Sequence, residues 1–370
     1  MKFVAIRQNI KEALSVIQRI AADNANLPIL KNTLIKAAAG SIIFEATNLE
    51  IAVKTATSGK IIEDGGVTVP ISLLSNLVGN LQTDRLNFES RGNNLEIKTD
   101  NYNATLQGMP ADEFPITPKI ADGKEYLEIK AVFLREAIQQ TITASQTSDF
   151  RPELGNLLFH FSLENIKLAA TDGFRLAEKV IPANPFTIHN IEPFSALIPI
   201  RTAQELSRII TNDEEVRIYR DESQILFKTN KIELISRLGE GSFPNYSSII
   251  PVEFSTEITL NKEEFINALK LASVFSQKNN EISIQIQPNK KVIEIVSADQ
   301  SFGENKYILP IKAKGDAAEK IFNVKYLSDA IRSLSGDEMY LGVQEEANPA
   351  LIKSTSDNSY FYILKPILKV

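Results

Sequence analysis

One order of elements recurs three times along the chain: an amphipathic helix, a strand, a short polar turn and a second strand that ends in a small polar pair. Equivalent second strands end at Thr47 and at Thr171, which are 124 positions apart. Solenoid repeats have periods of only roughly 20–50 residues. The longer period therefore predicts three copies of a whole domain, at residues 1–124, 125–250 and 251–370.

Each copy is predicted to consist of two halves, because a second helix followed by strand, turn and strand occurs at the same place each time. The first two copies also close alike, with Phe114-Pro115 and Phe243-Pro244 lying 129 positions apart. The expected fold class is α+β, with six helix-plus-sheet halves in one chain. The six predicted helices are Asn9–Ile20, Leu73–Leu81, Ala131–Ala144, Thr202–Ile210, Lys262–Phe275 and Tyr326–Leu334.

The composition is that of an ordinary globular protein, with 43% hydrophobic and 23% charged residues in a chain of 370. The absence of cysteine excludes disulfides, thiolate chemistry and cysteine–zinc sites. The opening segment Met1–Arg7 is typical of an amphipathic strand rather than a signal peptide, since no apolar segment follows it. No apolar run reaches the length of about 18 residues that a membrane span needs. We therefore expect a cytoplasmic protein.

The charge of the chain is unevenly distributed. The net charge is −6, yet five of the six predicted helices with their flanks each carry one more basic than acidic residue. Segregation of positive charge onto one type of element favours a shared basic surface on an otherwise acidic body. Ordinary solvated helix faces explain the same excess, because one extra basic residue per helix is within chance.

Few residues suggest chemistry. His160 lies in a predicted strand and His189 in a predicted Pro-rich loop, and neither has a neighbour at metal-ligand spacing. No phosphate-binding loop with its lysine and no dinucleotide fingerprint occurs. Thr171-Asp172-Gly173 is predicted to form a tight turn in which the aspartate bonds to its own backbone and glycine adopts positive φ. We expect no catalytic residues, no metal and no cofactor.

Several runs spread over the whole chain resemble one family, the bacterial DNA sliding clamps, which are the beta subunits of DNA polymerase III. The Thr-Asp-Gly-aromatic-Arg-Leu run and the Pro-aliphatic ending are specific signals, and the Leu-Pro-Ile-Leu run supports them. A generic tandem α+β protein explains none of them. The matching runs are Leu27–Asn32, Thr47–Glu50, Ala170–Ala177, Phe243–Tyr246 and Tyr362–Ile367.

The resemblance implies a DNA polymerase processivity factor without chemistry of its own. Members of this family are head-to-tail homodimers, whose six domains close a ring around duplex DNA with helices inside and sheets outside. Phosphate attraction is independent of sequence, so a weakly basic lining holds DNA without stopping the ring. The ring tethers the replicative polymerase and other clamp-binding proteins during replication and repair.

The resemblance also implies a pocket between the second and third domains, which binds short linear peptides of the polymerase, the clamp loader and repair polymerases. Aliphatic walls with a few orienting polar groups suit such a ligand. Any one of these residues could equally belong to ordinary interdomain core, but their convergence from separate segments favours a site. The pocket residues are Leu154, Thr171, Gly173, Phe174, Arg175, Leu176, Pro244, Ile249, Ile363, Leu364, Pro366 and Ile367.

Two further sets of residues are carried over from the family. The first set comprises the expected DNA contacts, and several family basic positions are replaced in this chain. These contacts are Asn24, Ser148, Arg151, Arg201 and Arg208. The second set is the expected dimer interface, in which an alanine replaces the aromatic residue of some members. These residues are Ala104, Val274 and Phe275.

One alternative from another functional class stays open. A monomeric tandem-domain protein could bind a peptide or a small ligand through the same central pocket without any DNA. Both interpretations need the segment Thr171–Leu176, but only the ring needs the interface residues and the helix charges. The oligomeric state in solution separates the two.

Overall fold

The structure is a computed structural model that describes residues 1–21, 27–120, 123–146, 151–276, 279–299, 301, 303–344 and 347–368. Its described residues contain six α-helices, and each predicted helix is present with ends within three residues of the prediction. The helices are α1 Arg7–Ile17, α2 Ile71–Asn80, α3 Ala131–Thr141, α4 Ile200–Ile209, α5 Lys262–Val274 and α6 Val324–Arg332.

Each third of the chain contributes nine described strands, so the predicted repeat of elements is confirmed. The first nine are β1 Lys2–Ile6, β2 Asn32–Ala38, β3 Ser41–Thr47, β4 Ile51–Thr57, β5 Lys60–Glu63, β6 Gly65–Pro70, β7 Arg85–Arg91, β8 Asn94–Lys98 and β9 Asn103–Leu106. The next are β10 Tyr126–Lys130, β11 Asn156–Phe161, β12 Asn165–Thr171, β13 Arg175–Pro182, β14 Phe186–His189, β15 Phe194–Pro199, β16 Glu215–Arg220, β17 Gln224–Lys228 and β18 Ile232–Arg237. The last are β19 Thr256–Asn261, β20 Glu281–Gln287, β21 Val292–Asp299, β22 Gly303–Pro310, β23 Lys312–Gly315, β24 Ala318–Asn323, β25 Glu338–Val343, β26 Ala350–Ser354 and β27 Tyr360–Leu364.

Helices and strands form where the hydrophobic period matches the element. In β20, the alternate residues Ile282, Ile284 and Ile286 are buried, as expected for a strand with one face on the core. Helix α6 buries Val324, Leu327, Ala330 and Ile331 at helical spacing. Asn323 precedes α6, and its Oδ1 accepts from the backbone N–H groups of Lys325 and Tyr326, which fixes the start of the helix.

The chain forms two compact units, each with two antiparallel sheets. The first unit comprises residues 1–132, 186–191 and 208–238, with sheets ordered β5-β1-β7-β8-β9 and β14-β10-β16-β17-β18-β4-β3-β2-β6. The second comprises residues 133–185, 192–207 and 239–370, with sheets ordered β15-β11-β12-β13-β27-β26-β25-β19-β23 and β22-β21-β20-β24.

The two nine-stranded sheets join strands from different repeats. In the first unit, β4 pairs with β18, and in the second unit β13 pairs with β27. Pairing satisfies backbone groups that would otherwise lie on exposed strand edges. The compact units therefore divide the middle third of the chain between them.

One sequence-based expectation about a loop is wrong. His189 lies in strand β14 rather than in a loop, because residues 186–189 pair with β10. Its ring stacks on the ring of Tyr126 across the strand pair, at a centroid distance of 4.2 Å. In the part of the chain that the structure describes, no helix has the length and apolar character needed to cross a membrane.

Candidate functional site

Two side chains hold the turn between β12 and β13. The hydroxyl of Thr171 donates to the carbonyl of Arg175 at 2.6 Å and accepts from the N–H of Gly173 at 3.1 Å. Asp172 Oδ1 accepts from the N–H groups of Phe174 and Arg175, at 2.9 and 3.0 Å. Gly173 has a φ of +90°, which favours glycine. The predicted turn is confirmed, and it leaves the side chain of Phe174 64% exposed.

Arg175 connects this turn to helix α6. Its Nε donates to Asp172 Oδ2 and its Nη1 to Asp329 Oδ2, both at 2.9 Å. The guanidinium carbon lies 4.0 Å from the centroid of the Tyr326 ring. Burial opposes the charge of Arg175, but the Tyr362 hydroxyl and Asp172 raise its pKa above the usual value. Arg175 therefore stays charged, and its N–H groups donate to Asp172 and Asp329 within the protein.

Three apolar side chains on neighbouring strands form the floor beside this turn. Leu176 on β13 lies opposite Ile363 on β27, which in turn lies opposite Leu351 on β26. All three are buried and belong to one hydrophobic cluster. Partly buried side chains that pack against the cluster are Tyr246, Ile250, Phe254, Tyr340 and Phe361.

The segment between β18 and β19 packs against this cluster. The Tyr246 hydroxyl donates to Glu178 Oε2 at 2.5 Å, which anchors the segment to β13. Burial, followed by the hydrogen bond to Glu178, raises the pKa of the Tyr246 hydroxyl far above its usual value. Pro244 is half-buried, whereas Ile249 is exposed in a short 3₁₀ turn. An apolar wall therefore stands beside the cluster, with a free aliphatic side chain at its edge.

The predicted pocket residues do not all line one depression. Leu154 is buried in a 3₁₀ turn, and Leu364 is buried opposite Arg175 in the sheet. Pro366 and Ile367 line a separate cleft of about 340 Å³, together with residues of β24 and the end of the chain. The N–H of Ile367 donates to the Ile321 carbonyl at 2.8 Å, which holds the tail against β24.

The predicted DNA contacts have different surroundings. Asn24 and Ser148 lie outside the described residues. Arg151 is exposed and pairs with the adjacent Glu153, with 3.3 Å between Nε and Oε1. Arg201 is exposed on α4.

Arg208, the fifth predicted contact, has a structural role. Its Nη1 donates to the Ser15 carbonyl at 2.8 Å and its Nη2 to the Val16 carbonyl at 3.1 Å. These carbonyls belong to the last turn of α1, where helical carbonyls lack intrahelical partners. Arg208 therefore stabilises the C-terminal end of α1.

A basic cleft between α5 and α6 was not among the predicted contacts. It has a volume of about 490 Å³, and its lining includes Lys270, Lys325 and Arg332, all of which are exposed. The one acidic residue in the lining is Asp329, which accepts from Arg175. The basic excess of the two predicted helices with their flanks, residues 261–280 and 324–336, was the sequence signal that could have found this cleft.

The predicted interface residues lie beside the edge strands of two sheets. Ala104 belongs to β9, the last strand of the five-stranded sheet. Val274 ends α5 and is 52% exposed. Phe275 follows it, with its ring against the start of β22, the last strand of the four-stranded sheet: its Cε1 lies 4.0 Å from the position of a Cβ on Gly303.

Within the described ranges, no group of three or more histidine, aspartate or glutamate side chains could hold a metal ion. His160 Nδ1 lies 2.8 Å from the hydroxyl of Ser195 on the paired strand β15. Both histidines are thus engaged in contacts between neighbouring strands.

Known proteins match this chain over nearly its whole length. Family profiles of the DNA polymerase III beta subunit match in three consecutive parts. The N-terminal domain matches residues 1–118, the central domain 128–245 and the C-terminal domain 247–367.

Individual relatives also match this chain over nearly their whole length. A beta sliding clamp of Synechococcus elongatus is 26% identical over 376 residues, and one of Bacillus subtilis is 26% identical over 380 residues. In both comparisons, 99% of this chain and 99% of the relative are covered. The crystal structure of the DNA polymerase sliding clamp from Bacillus subtilis superposes with a TM-score of 0.93 at 25% identity, covering 100% of both chains.

Proposed function

This chain belongs to the DNA polymerase III beta subunit family, and we propose that it is a sliding clamp that encircles duplex DNA and makes DNA polymerase processive. The observation that carries the proposal is the match of all three family domains, in order, over a chain with the same fold. The family is an accessory subunit, so the protein tethers an enzyme and performs no chemistry itself. We place it in the cytoplasm, as three clamp domains at residues 1–124, 125–250 and 251–370.

The peptide-binding role is supported by the apolar cluster around Leu176. The exposed Phe174 lies in the turn that precedes Leu176, and Arg175 holds this turn in place. A peptide of the polymerase, the clamp loader or a repair polymerase would bury one or two apolar side chains there, each contributing roughly 1.5–3 kcal/mol. Pro366 and Ile367 would contact a second part of the same peptide, in the separate cleft beside β24.

Ring closure is supported by the exposed edges of strands β9 and β22. Strands β9 and β22 each have a partner on one side only among the described strands. A head-to-tail homodimer would pair β9 of one protomer with β22 of the other, and repetition of that contact closes the ring. Val274 and Phe275 would then pack in the apolar part of the interface, opposite Ala104.

DNA binding is supported by basic side chains on the helices. Lys270, Lys325 and Arg332 line one cleft, and Arg201 is exposed on α4. Such contacts reach phosphates without reading bases, so binding is expected to be weak, salt-dependent and indifferent to sequence.

The test is retention on circular DNA. The loaded protein should remain on a nicked circular duplex and be released when the circle is cut, because topology rather than affinity holds a ring. Lys270→Glu with Lys325→Glu should reduce loading, whereas Lys314→Glu, on the exposed strand β23, should not. Equal retention on linear and circular duplexes, or a persistent monomer in light scattering, would reject the clamp in favour of a monomeric peptide-binding protein.

A further inference from the structure

The first unit contains a turn that closely resembles the turn between β12 and β13 in the second unit. Between β3 and β4, the Thr47 hydroxyl donates to the carbonyl of Ile51 and accepts from the N–H of Leu49, both at 3.0 Å. Asn48 Oδ1 accepts from the N–H of Ile51 at 2.8 Å. Leu49 has a φ of +76°, as Gly173 has +90° in the other turn. The two turns therefore share their hydrogen bonds and their backbone conformation.

The strands beyond the two turns have the same register. Ala52 lies opposite Ile235, and Ile235 lies opposite Leu226, in three neighbouring strands. In the second unit the same positions are occupied by Leu176, Ile363 and Leu351. Both triplets belong to buried hydrophobic clusters, and the cluster of the first unit also contains Tyr219.

Beside each of these sheets, the segment that joins two repeats of the chain is also anchored in a similar way. In the second unit, the Tyr246 hydroxyl donates to Glu178. In the first unit, the Thr117 hydroxyl donates to Glu45, and Ile120 packs against the cluster of Ala52. Each sheet face is thus flanked by a short segment that a single hydroxyl–carboxylate bond holds in place.

The first unit differs by having alanine where the second has leucine. A cleft of about 320 Å³ lies over Ala52, Leu226 and Ile235, with Ile120 on its side. This volume is at the lower end of the roughly 300–1,000 Å³ of ligand sites. The smaller side chain at position 52 leaves the space that a bulky apolar group of a ligand could fill.

The polar lining of the cleft favours a negatively charged ligand. Lys54 and Lys119 both line it, and Lys119 is exposed. The one lining carboxylate is Glu233, which accepts from Lys228 at 2.8 Å between Nζ and Oε1. Lys54 lies between Glu45 and Glu233 on the neighbouring strands, with 3.9 Å between its Nζ and Glu45 Oε1. The exposed Lys119 is therefore the cation that a ligand would meet.

We propose that this cleft is a second peptide-binding site, specific for a short segment in which a carboxylate side chain lies next to bulky apolar residues. The apolar residues occupy the space over Ala52, and the carboxylate pairs with Lys119. The choice of a peptide as ligand rests on the proposed function of the equivalent site at Leu176.

The test uses the tripeptide acetyl-Asp-Leu-Phe-amide as the probe, added to the full-length protein with labelled isoleucine and leucine methyl groups. Saturable shifts are expected for the methyl resonances of Ile120, Leu226 and Ile235. Shifts of Leu176, Leu351 and Ile363 report the other cleft in the same titration.

Two variants locate the binding. Ala52→Leu fills the cleft with the residue of the other unit, so the shifts of Leu226 and Ile235 should be lost while the shifts at Ile363 remain. Lys119→Glu alters only an exposed side chain and should weaken binding at the first cleft severalfold. Lys60→Glu, at an exposed position of β5, is the matched control and should leave binding unchanged.

The possible outcomes separate the two proposals. Shifts confined to Leu176, Leu351 and Ile363 overturn the second site and support the proposed function. Shifts confined to Ile120, Leu226 and Ile235 support the second site and overturn the peptide pocket of the proposed function. An unchanged response of Leu226 and Ile235 in both the Ala52→Leu and Lys119→Glu proteins overturns the assignment to this cleft, and no shifts at all overturn both sites.

Discussion

At the scale of single residues, buried cations on β13 join that strand to helices of the second unit. Arg175 bridges Asp172 and Asp329, and Lys179 Nζ bridges Glu136 and Asp357 at 3.1 Å each. Removing one partner of a buried charge costs more than an exposed ion pair contributes, because the remaining charge stays desolvated. The ion pairs of Arg175 and Lys179 are therefore expected to affect both the stability of the protein and the geometry of the proposed peptide site at Leu176.

Asp329→Ala should weaken peptide binding although Asp329 belongs to α6 and not to the apolar cleft. Without its carboxylate, Arg175 loses one charge-assisted hydrogen bond, and the turn before β13 gains freedom. A loss of about 1 kcal/mol corresponds to roughly fivefold weaker binding, measurable by calorimetry. The control is Asp337→Ala, at an exposed position after the same helix. Equal affinities of the two variants would contradict the bracing role of Arg175.

Asp357 predicts how stability depends on pH. Burial opposes its ionisation, but hydrogen bonds from Ser359 and from Lys179 Nζ lower its pKa to about 2. The pKa of an unfolded aspartate is about 3.9. The folded pKa is therefore depressed, so the stabilisation is present above about pH 4 and is lost as the pH falls towards 2.

Asp357→Asn should accordingly lower the free energy of unfolding by about 1 kcal/mol at pH 7, after allowance for solvent screening. The difference from the wild type should shrink when urea unfolding is repeated at pH 4 and pH 3. Asp64→Asn, at an exposed position, provides the control. A difference that is constant from pH 7 to pH 3 would show that the charge of Asp357 is not the cause.

At the scale of elements, the end of the chain has two distinct parts. Strand β27 lies between β13 and β26, and its residues Ile363 and Leu364 are buried. The residues after it run along β24 and line the separate cleft there. A truncation that begins at Ile363 would remove part of a central strand, so its effect on binding could not be separated from unfolding.

A truncation that begins at Pro366 should retain the fold and weaken peptide binding. It removes Pro366, Ile367 and Leu368, whose apolar contacts are worth roughly 1.5–3 kcal/mol for each fully buried side chain. At least about tenfold weaker binding is expected, with an unchanged circular dichroism spectrum. A protein shortened by only residues 369–370 is the control. Full affinity in the longer truncation would restrict the site to the cleft at Leu176.

At the scale of the whole molecule, the proposed ring depends on two short edge strands and on the end of α5. An exposed edge promotes uncontrolled association unless another chain covers it. Val274 and Phe275 offer apolar surface beside one of these edges. A dimer would therefore bury surface that a monomer leaves in contact with water.

Val274→Glu together with Phe275→Glu should convert the dimer to a folded monomer, because two carboxylates would have to lose water at an apolar contact. Light scattering coupled to size exclusion measures the mass. Leu163→Glu changes another exposed apolar residue, in the turn between β11 and β12, and should leave the dimer intact. An unchanged dimer in the double variant would place the interface elsewhere.

The sequence by itself determined the local features of this protein. The threefold order of elements, the six helices and the turn at Thr171–Gly173 follow from hydrophobic period and turn chemistry, which act over a few neighbouring residues. The excess of basic residues on helices was also visible, although it did not identify Lys270 or Lys325 as neighbours.

Only the tertiary structure decided which distant segments meet. The pairs β4–β18 and β13–β27 join strands more than 170 residues apart, and no local pattern specifies one antiparallel edge over another. The same pairing sets Ala52 opposite Ile235 and so creates the cleft of the first unit. The fold also brings Arg208 next to the carbonyls at the end of α1, which lie more than 190 residues away in the sequence. A side chain's hydrogen-bond partners depend on which groups the fold places within its reach, so the sequence did not predict this contact.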